Sequence, residues 1–280
     1  YGDHRDLNSF PTRRSSDLIP LWFSICGKAQ GAAARLALAA ARGEATAPRQ
    51  DRAVAAEATG EHLWRLLLDW PRLLALPTEE ALFVAARRRL LEPDFPAWAA
   101  EALRPAVDRV LAALAGLAEP SAPAAARLPV ISAEASLGFW PRLDEDFAVA
   151  PAWQGRPAET GALARLPVPP AAGPILARVQ ARWVEALAPA GGVSAVPVAP
   201  GVGRALVETA RGLLMHEIRL DGDRIGDYVI VAPTEWNFHP EGTLAAWLRD
   251  LPPAEAASLA PRALLALDAC VPTEVNIAVD

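Results

Sequence analysis

The sequence predicts an α+β protein, mainly helical with a small antiparallel β element. Two observations carry the fold class. Stretches rich in Ala, Leu and Arg, all strong helix formers, recur from residue 32 to residue 117 and again over 175–187. Two Val/Ile/Leu-rich runs, 206–220 and 225–231, flank Asp221-Gly222, a dipeptide that favours a tight hairpin turn. A third observation excludes a class: no uninterrupted apolar run reaches the roughly 18 residues of a membrane span.

The first eighteen residues, YGDHRDLNSFPTRRSSDL, differ in character from everything that follows. They are polar and carry neither a helical nor a strand period. The string resembles translated sequencing-adapter read-through, so residues 1–18 are read as a non-native segment and 19–280 as a single domain. The native N-terminus is then missing, and the lack of a signal peptide says nothing about one. About 260 residues suffice to bury a substantial core. A net charge of -6, without a basic patch, argues against a nucleic-acid partner. Of the two cysteines, Cys26 and Cys270, one stands near each end of the native part. They are thiols in a reducing compartment, or a bridge in an oxidising one that would contribute about 5 kcal/mol.

Cys26 stands at the start of a predicted helix that ends near Gly43, a suitable C-cap. Backbone N–H groups there favour its thiolate; the alternative is a small buried residue packing the helix start. Between 51 and 116 three or four helices are expected. One covers 61–70 and stops at Pro71, one spans 78–91, and one runs 95–117 with Leu103, Val107, Val110, Leu111 and Leu114 on a stripe. His62 reads as a helix-surface or packing residue rather than a ligand. The Ala/Pro-rich 118–129 is a surface loop, and 131–153 holds short strand-like pieces with several aromatics. A helix over 175–187 precedes the hairpin. Two more, 241–251 and 254–267, are separated by Pro252-Pro253.

Antiparallel pairing about Asp221-Gly222 can bring Arg211, in the first arm, near Thr234, in the Pro233-Thr234-Glu235-Trp236-Asn237 run that closes the second. A guanidinium, a hydroxyl and backbone N–H groups beside a proline make an anion-binding corner. The alternative is a surface hairpin with a solvated arginine.

Four blocks, in order, resemble the large, catalytic subunit of nickel–iron hydrogenases. Ile25, Cys26 and Gly27 match R-I-C-G-x-C-x-x-x-H. Residues 159–165, ETGALAR, resemble E-V-G-P-L-A-R. Glu208, Arg211, Gly212, Leu214 and His216 match E-x-P-R-G-x-L-x-H, and Tyr228, Pro233, Thr234, Trp236 and Asn237 match the Y-x-x-V-x-P-T-x-W-N that follows. Asp268 and Cys270 match D-P-C-x-x-C-x-x-H. The departures matter as much. Ala29 and Thr273 replace the second cysteine of each pair, and Ala33 and Asn276 the histidines. By the family's pattern both cysteines terminal to nickel are kept and both bridging ones are lost.

A nickel–iron centre held by four thiolates cannot be built from two. Hydrogen cleavage, and nickel, are therefore not expected. The resemblance places Arg211, Pro233, Thr234 and Asp268 around the metal, where such residues hydrogen-bond cyanide ligands on iron, with His216 behind them. The chain thus resembles the HupK-type hydrogenase expression/formation proteins, paralogues of the large subunit with a large-subunit-like fold. That resemblance implies a cytoplasmic, non-enzymatic assembly scaffold. It would take up Fe(CN)2CO on Cys26 and Cys270, transiently, from assembly chaperones and pass it to the hydrogenase large subunit. Ending at Asp280 without the family's last histidine, it is expected not to be cut by the processing protease. Three alternatives stay open: a degenerate hydrogenase or sensor with residual metal, a metal-free interaction module for the chaperones, and a zinc site of Cys26, Cys270 and His216.

Overall fold

The computed structural model describes residues 26–167, 172–270 and 275–276; the segment 1–18, expected to be non-native, lies outside the described residues. Helix α1, Gly27–Ala41, opens the described chain with Cys26 at its N-cap. Its alanines make a slim helix that lies directly on a sheet. A Cβ at Gly203 would stand 2.0 Å from Ala41 N, so glycine is what permits that approach. Strand β1, Thr46–Gln50, leads to helix α2, Arg52–Trp64, where Asp51 accepts from Ala53 and Val54 N–H at 3.0 and 3.2 Å and caps the helix.

The expected stop at Pro71 does not occur. The chain passes from α2 through one π turn, Arg65–Asp69, into helix α3, Trp70–Leu73. Pro71 falls in the first turn of α3, where a missing N–H costs no hydrogen bond. Helix α4, Glu80–Arg89, is as expected. The single helix expected over 95–117 is instead two, α5, Phe95–Ala102, and α6, Arg104–Ala115. Pro105 sits in the first turn of α6, and its ring would clash with the preceding turn of a continuous helix.

The strand-like reading of 131–153 holds only at its end, residues 152–153. After the two-residue strand β2, Ala126–Arg127, come the short helices α7, Ala133–Ser136, and α8, Glu145–Val149. Ser132 and Asp144 cap them by accepting from Ala135 and Phe147 N–H at 3.1 and 2.9 Å. Strands β3, Ala152–Trp153, and β4, Arg156–Glu159, join β2 in a small three-stranded sheet. Helix α9, Ala162–Arg165, and helix α10, Pro174–Leu187, follow.

Strands β5, Gly192–Ala199, β6, Val202–Thr209, β7, Gly212–Asp221, and β8, Arg224–Val231, complete a five-stranded antiparallel sheet of order β1-β5-β6-β7-β8. The predicted hairpin is there: Asp221 pairs with Arg224, and Gly222 takes a φ of +57° in the turn. Its first arm, however, is two strands. The pairing of Thr209 with Gly212 places Ala210-Arg211 in a second turn, so Arg211 projects from a loop tip. The sheet is larger than the sequence suggested, within the predicted class.

Helix α11, Pro233–Asn237, replaces the expected closing turn; α12, Thr243–Leu248, and α13, Pro253–Leu267, end the described fold. One sheet face packs on α1 through Ala37, Ala205 and Ile218. The other packs Leu206, Met215 and Val231 against Trp140 and Trp236. A separate helical core gathers Leu63, Leu66, Trp70, Val107 and Val179, each fully buried leucine contributing about 1.5–3 kcal/mol. Among the described residues no helix is long and apolar enough to cross a membrane.

Candidate metal-binding site

The site forms where three chain segments end against one another. The N-terminus of α1 brings Cys26, the β6–β7 turn brings Arg211, and the residues after α13 bring Asp268 and Cys270. Asp268, at the C-cap of α13, adopts left-handed backbone angles (φ 61°, ψ 67°), which ends the helix and reverses the chain just before Cys270. Thr234, in the first turn of α11, donates its hydroxyl to Cys270 Sγ at 3.4 Å, beside buried Pro233. Both cysteines are free and half-buried.

The turn that carries Arg211 is held from several sides. Gly212 has a φ of +130°, and a Cβ there would stand 2.2 Å from Thr160 Cγ2. Asn237 Nδ2 donates to Arg211 O at 3.1 Å while its Oδ1 accepts from Thr160 N at 2.9 Å. Arg165 donates to Thr209 O at 2.8 Å and pairs with Glu208 and Glu185 at 2.7 and 2.6 Å. The sequence blocks containing Glu159, Glu208 and Asn237 therefore meet in space as the mounting of Arg211.

Around the guanidinium lies a buried charge network. Arg211 pairs with Glu61, and its Nε stands 3.4 Å from Asp268 Oδ1. Asp268 also takes Arg65 at 2.7 Å and Arg182 at 2.7 Å. Burial alone would raise the Asp268 pKa, but Arg211, Arg182 and Arg65 outweigh it and hold the carboxyl below the usual carboxylate range. Glu61 goes the other way. Burial pushes it up to about 7 against the pull of Arg211, and its Oε1 has no hydrogen-bond partner among the described residues.

The thiols correct an expectation. The helix N-terminus was expected to favour the Cys26 thiolate; instead its pKa is pushed up to about 12 by burial, then by Cys270 and Glu61, with Arg211 only partly opposing. The α1 N–H groups are also taken: Lys28 and Ala29 N–H donate to Glu57 at 2.7 and 2.9 Å. Cys270 is raised by burial too, partly offset by Arg211 and Thr234. Each sulfur is thus a neutral thiol at pH 7 that must shed a proton to bind a metal. Arg211 opposes burial at both thiols, and Cys270 adds to the rise at Cys26, so the three groups are electrostatically linked.

His216 lies deeper. Its two ring nitrogens meet Tyr228 Oη at 2.7 Å and Gln30 Oε1 at 2.8 Å. Among the described residues no group of three or more His, Cys, Asp or Glu is arranged to hold a metal ion, so the geometry gives the zinc alternative no third ligand. His62 is fully buried against Glu185 at 2.7 Å, as a packing residue should be.

No protein-family model matches the chain. Curated relatives do. The hydrogenase expression/formation protein HoxV of Cupriavidus necator is 32% identical, over 98% of this chain and 90% of its own length. HupK of Azotobacter vinelandii is 31% identical over 92% and 86%, and HupK of Rhizobium leguminosarum bv. viciae 32% over 91% and 84%. The chain belongs to the hydrogenase expression/formation protein family. Its fold is that of a nickel–iron hydrogenase large subunit. The NiFeSe hydrogenase of Desulfovibrio vulgaris Hildenborough superposes with a TM-score of 0.68 at 14% identity, covering 95% of this chain and 90% of that one. An NAD+-reducing NiFe hydrogenase gives 0.62 at 14%, covering 96% and 90%.

In this member of the hydrogenase expression/formation family, Thr234 meets Cys270 and Arg211 meets Asp268 directly, while the side chain of Cys26 meets Gln30. Glu61, Arg65, Arg182 and Gln30 were missed. Glu57, Glu61 and Arg65 repeat every four residues on one side of α2 and its π turn, a charged stripe indistinguishable in sequence from a solvated face. What distinguishes it is a partner from the far end of the chain, Asp268.

Proposed function

We propose that this protein is a hydrogenase maturation scaffold that transiently binds Fe(CN)2CO and passes it to the catalytic large subunit. One observation supports the reading: a hydroxyl is aimed at the sulfur of Cys270, and the clamped Arg211 beside Asp268 acts electrostatically on both thiols. An iron that arrives with two cyanides and a carbon monoxide needs few further ligands, and Cys26 and Cys270 would supply two. Arg211 and Thr234 would donate to the cyanides, as charged and hydroxyl donors do to small anionic acceptors. Both thiols release a proton on loading, so reprotonation assists release. Donor and recipient are the assembly chaperones and the large subunit, whose fold the scaffold shares. It performs no hydrogen chemistry, carries no nickel and acts in the cytoplasm.

The test is infrared spectroscopy on protein purified without oxygen from a host that expresses the assembly proteins. Cyanide and carbonyl stretching bands in wild type, lost in Cys26→Ala and Cys270→Ala, are the expected result. Absent bands with partners still bound, and maturation intact in both variants, would leave a metal-free interaction module instead.

A further inference from the structure

A line of hydrogen bonds runs from Cys26 into the sheet. Gln30, one turn along α1, places Nε2 3.9 Å from Cys26 Sγ. Its Oε1 meets His216 Nε2 at 2.8 Å, and His216 Nδ1 meets Tyr228 Oη at 2.7 Å. All three side chains are buried, and the last two come from neighbouring strands β7 and β8.

The direction of this line follows from which groups can donate. The Tyr228 hydroxyl is buried and has His216 Nδ1 as its hydrogen-bond partner, so to be satisfied it must donate to that nitrogen. Burial holds the phenol protonated, its pKa well above 10.0. With Nδ1 accepting, a neutral imidazole carries its proton on Nε2, which then donates to Gln30 Oε1. The amide is thereby oriented with its N–H groups toward the sulfur. The opposite orientation would turn two donors toward each other at Tyr228 or leave the phenol proton unpaired.

We infer that Gln30 is a positioning residue for Cys26, oriented through His216 by Tyr228, and that its N–H donates to the sulfur when Cys26 binds a soft metal. This rests on the reading of Cys26 as a metal ligand. Such a donor fixes the sulfur's direction and withdraws charge from the metal–thiolate bond, which suits a ligand that must let go.

The probe is Cd2+ added to the metal-free full-length protein, read by its ultraviolet sulfur-to-cadmium charge-transfer band. Gln30→Leu should weaken binding by about 10- to 100-fold, the usual effect of losing a partner to a metal ligand, and move the band to lower energy. Tyr228→Phe removes one oxygen and keeps the ring, so it serves where Gln30→Leu fails to fold. Its band should move the same way by less. A purely structural role changes melting temperature and leaves the band energy alone. Bands unmoved in both variants, or no thiolate band in wild type, overturn the inference. A shifted cadmium band upholds it even where infrared cargo bands are absent, a result that overturns the scaffold reading alone.

Discussion

Thr234 Oγ1 lies 3.4 Å from Cys270 Sγ, and the contact reaches across 36 residues of chain from the first turn of α11 to the segment after α13. The hydroxyl and Arg211 are the two groups that oppose burial at this thiol. Thr234→Val keeps the shape and removes the donor. In a Cys26→Ala background, alkylation of Cys270 by iodoacetamide at pH 8 should then slow several-fold, the scale of one ordinary hydrogen bond of about 0.5–1.5 kcal/mol. An unchanged rate would mean that the hydroxyl points elsewhere.

Asp268 neutralises three arginines at once. Arg65, Arg182 and Arg211 all face its carboxylate, which is almost completely buried. Removing one partner from such a buried arrangement leaves uncompensated charge, at a cost of about 3–5 kcal/mol. Asp268→Asn should lower stability by that amount in urea unfolding and expose Cys270 to thiol reagents. A loss below about 1 kcal/mol would show that the arginines find water instead.

Gly212 makes a sharper steric case. Its φ of +130° is open to glycine alone, and a Cβ would collide with Thr160. Gly212→Ala should cost about 2 kcal/mol or more, combining strain with the clash. The same change at Gly43, where a Cβ would meet nothing within 4 Å, should cost less and serves as the control. Equal losses at the two positions would contradict the packing of Thr160 on the Arg211 turn.

These positions differ in how far the sequence announced them. The hairpin at Asp221-Gly222 and the α1 helix were legible because a turn dipeptide and an alanine run act locally. The meeting of Arg211 with Asp268 and of Thr234 with Cys270 was legible through blocks shared with a known fold. The β6–β7 turn was hidden because Ala210-Arg211 carries no turn signal; the glycine that permits it is the next residue, at the start of β7. Glu61 and Arg65 were hidden because a helix face of alternating charge normally meets water. The thiol error had a different origin. A helix N-terminus favours a thiolate only where its N–H groups are free and water is near, and here Glu57 takes the N–H groups while burial removes the water.

Glu61 provides the prediction with the most distinctive pH signature. Its pKa is raised from 4.5 to about 7 in the folded protein, chiefly by burial. Between those values the folded state binds more protons than the unfolded one, so this group makes stability fall as pH rises and contributes nothing further above about 7. The drop is about 3 kcal/mol across the window. His62 works in the opposite sense there: its pKa is lowered by burial, so stability rises as pH climbs toward 6.5. Glu185, held at about 2 despite burial by Arg165 and His62, has its transition below 4.5. The wild-type profile is therefore a sum, and subtraction isolates Glu61. Stability of Glu61→Gln, measured by denaturant unfolding from pH 4 to 8 and subtracted from wild type, should trace the falling component and level off above pH 7. A flat difference would mean that Arg211 holds Glu61 ionised throughout, and that the carboxyl beside Cys26 takes up no proton as the thiols give theirs away.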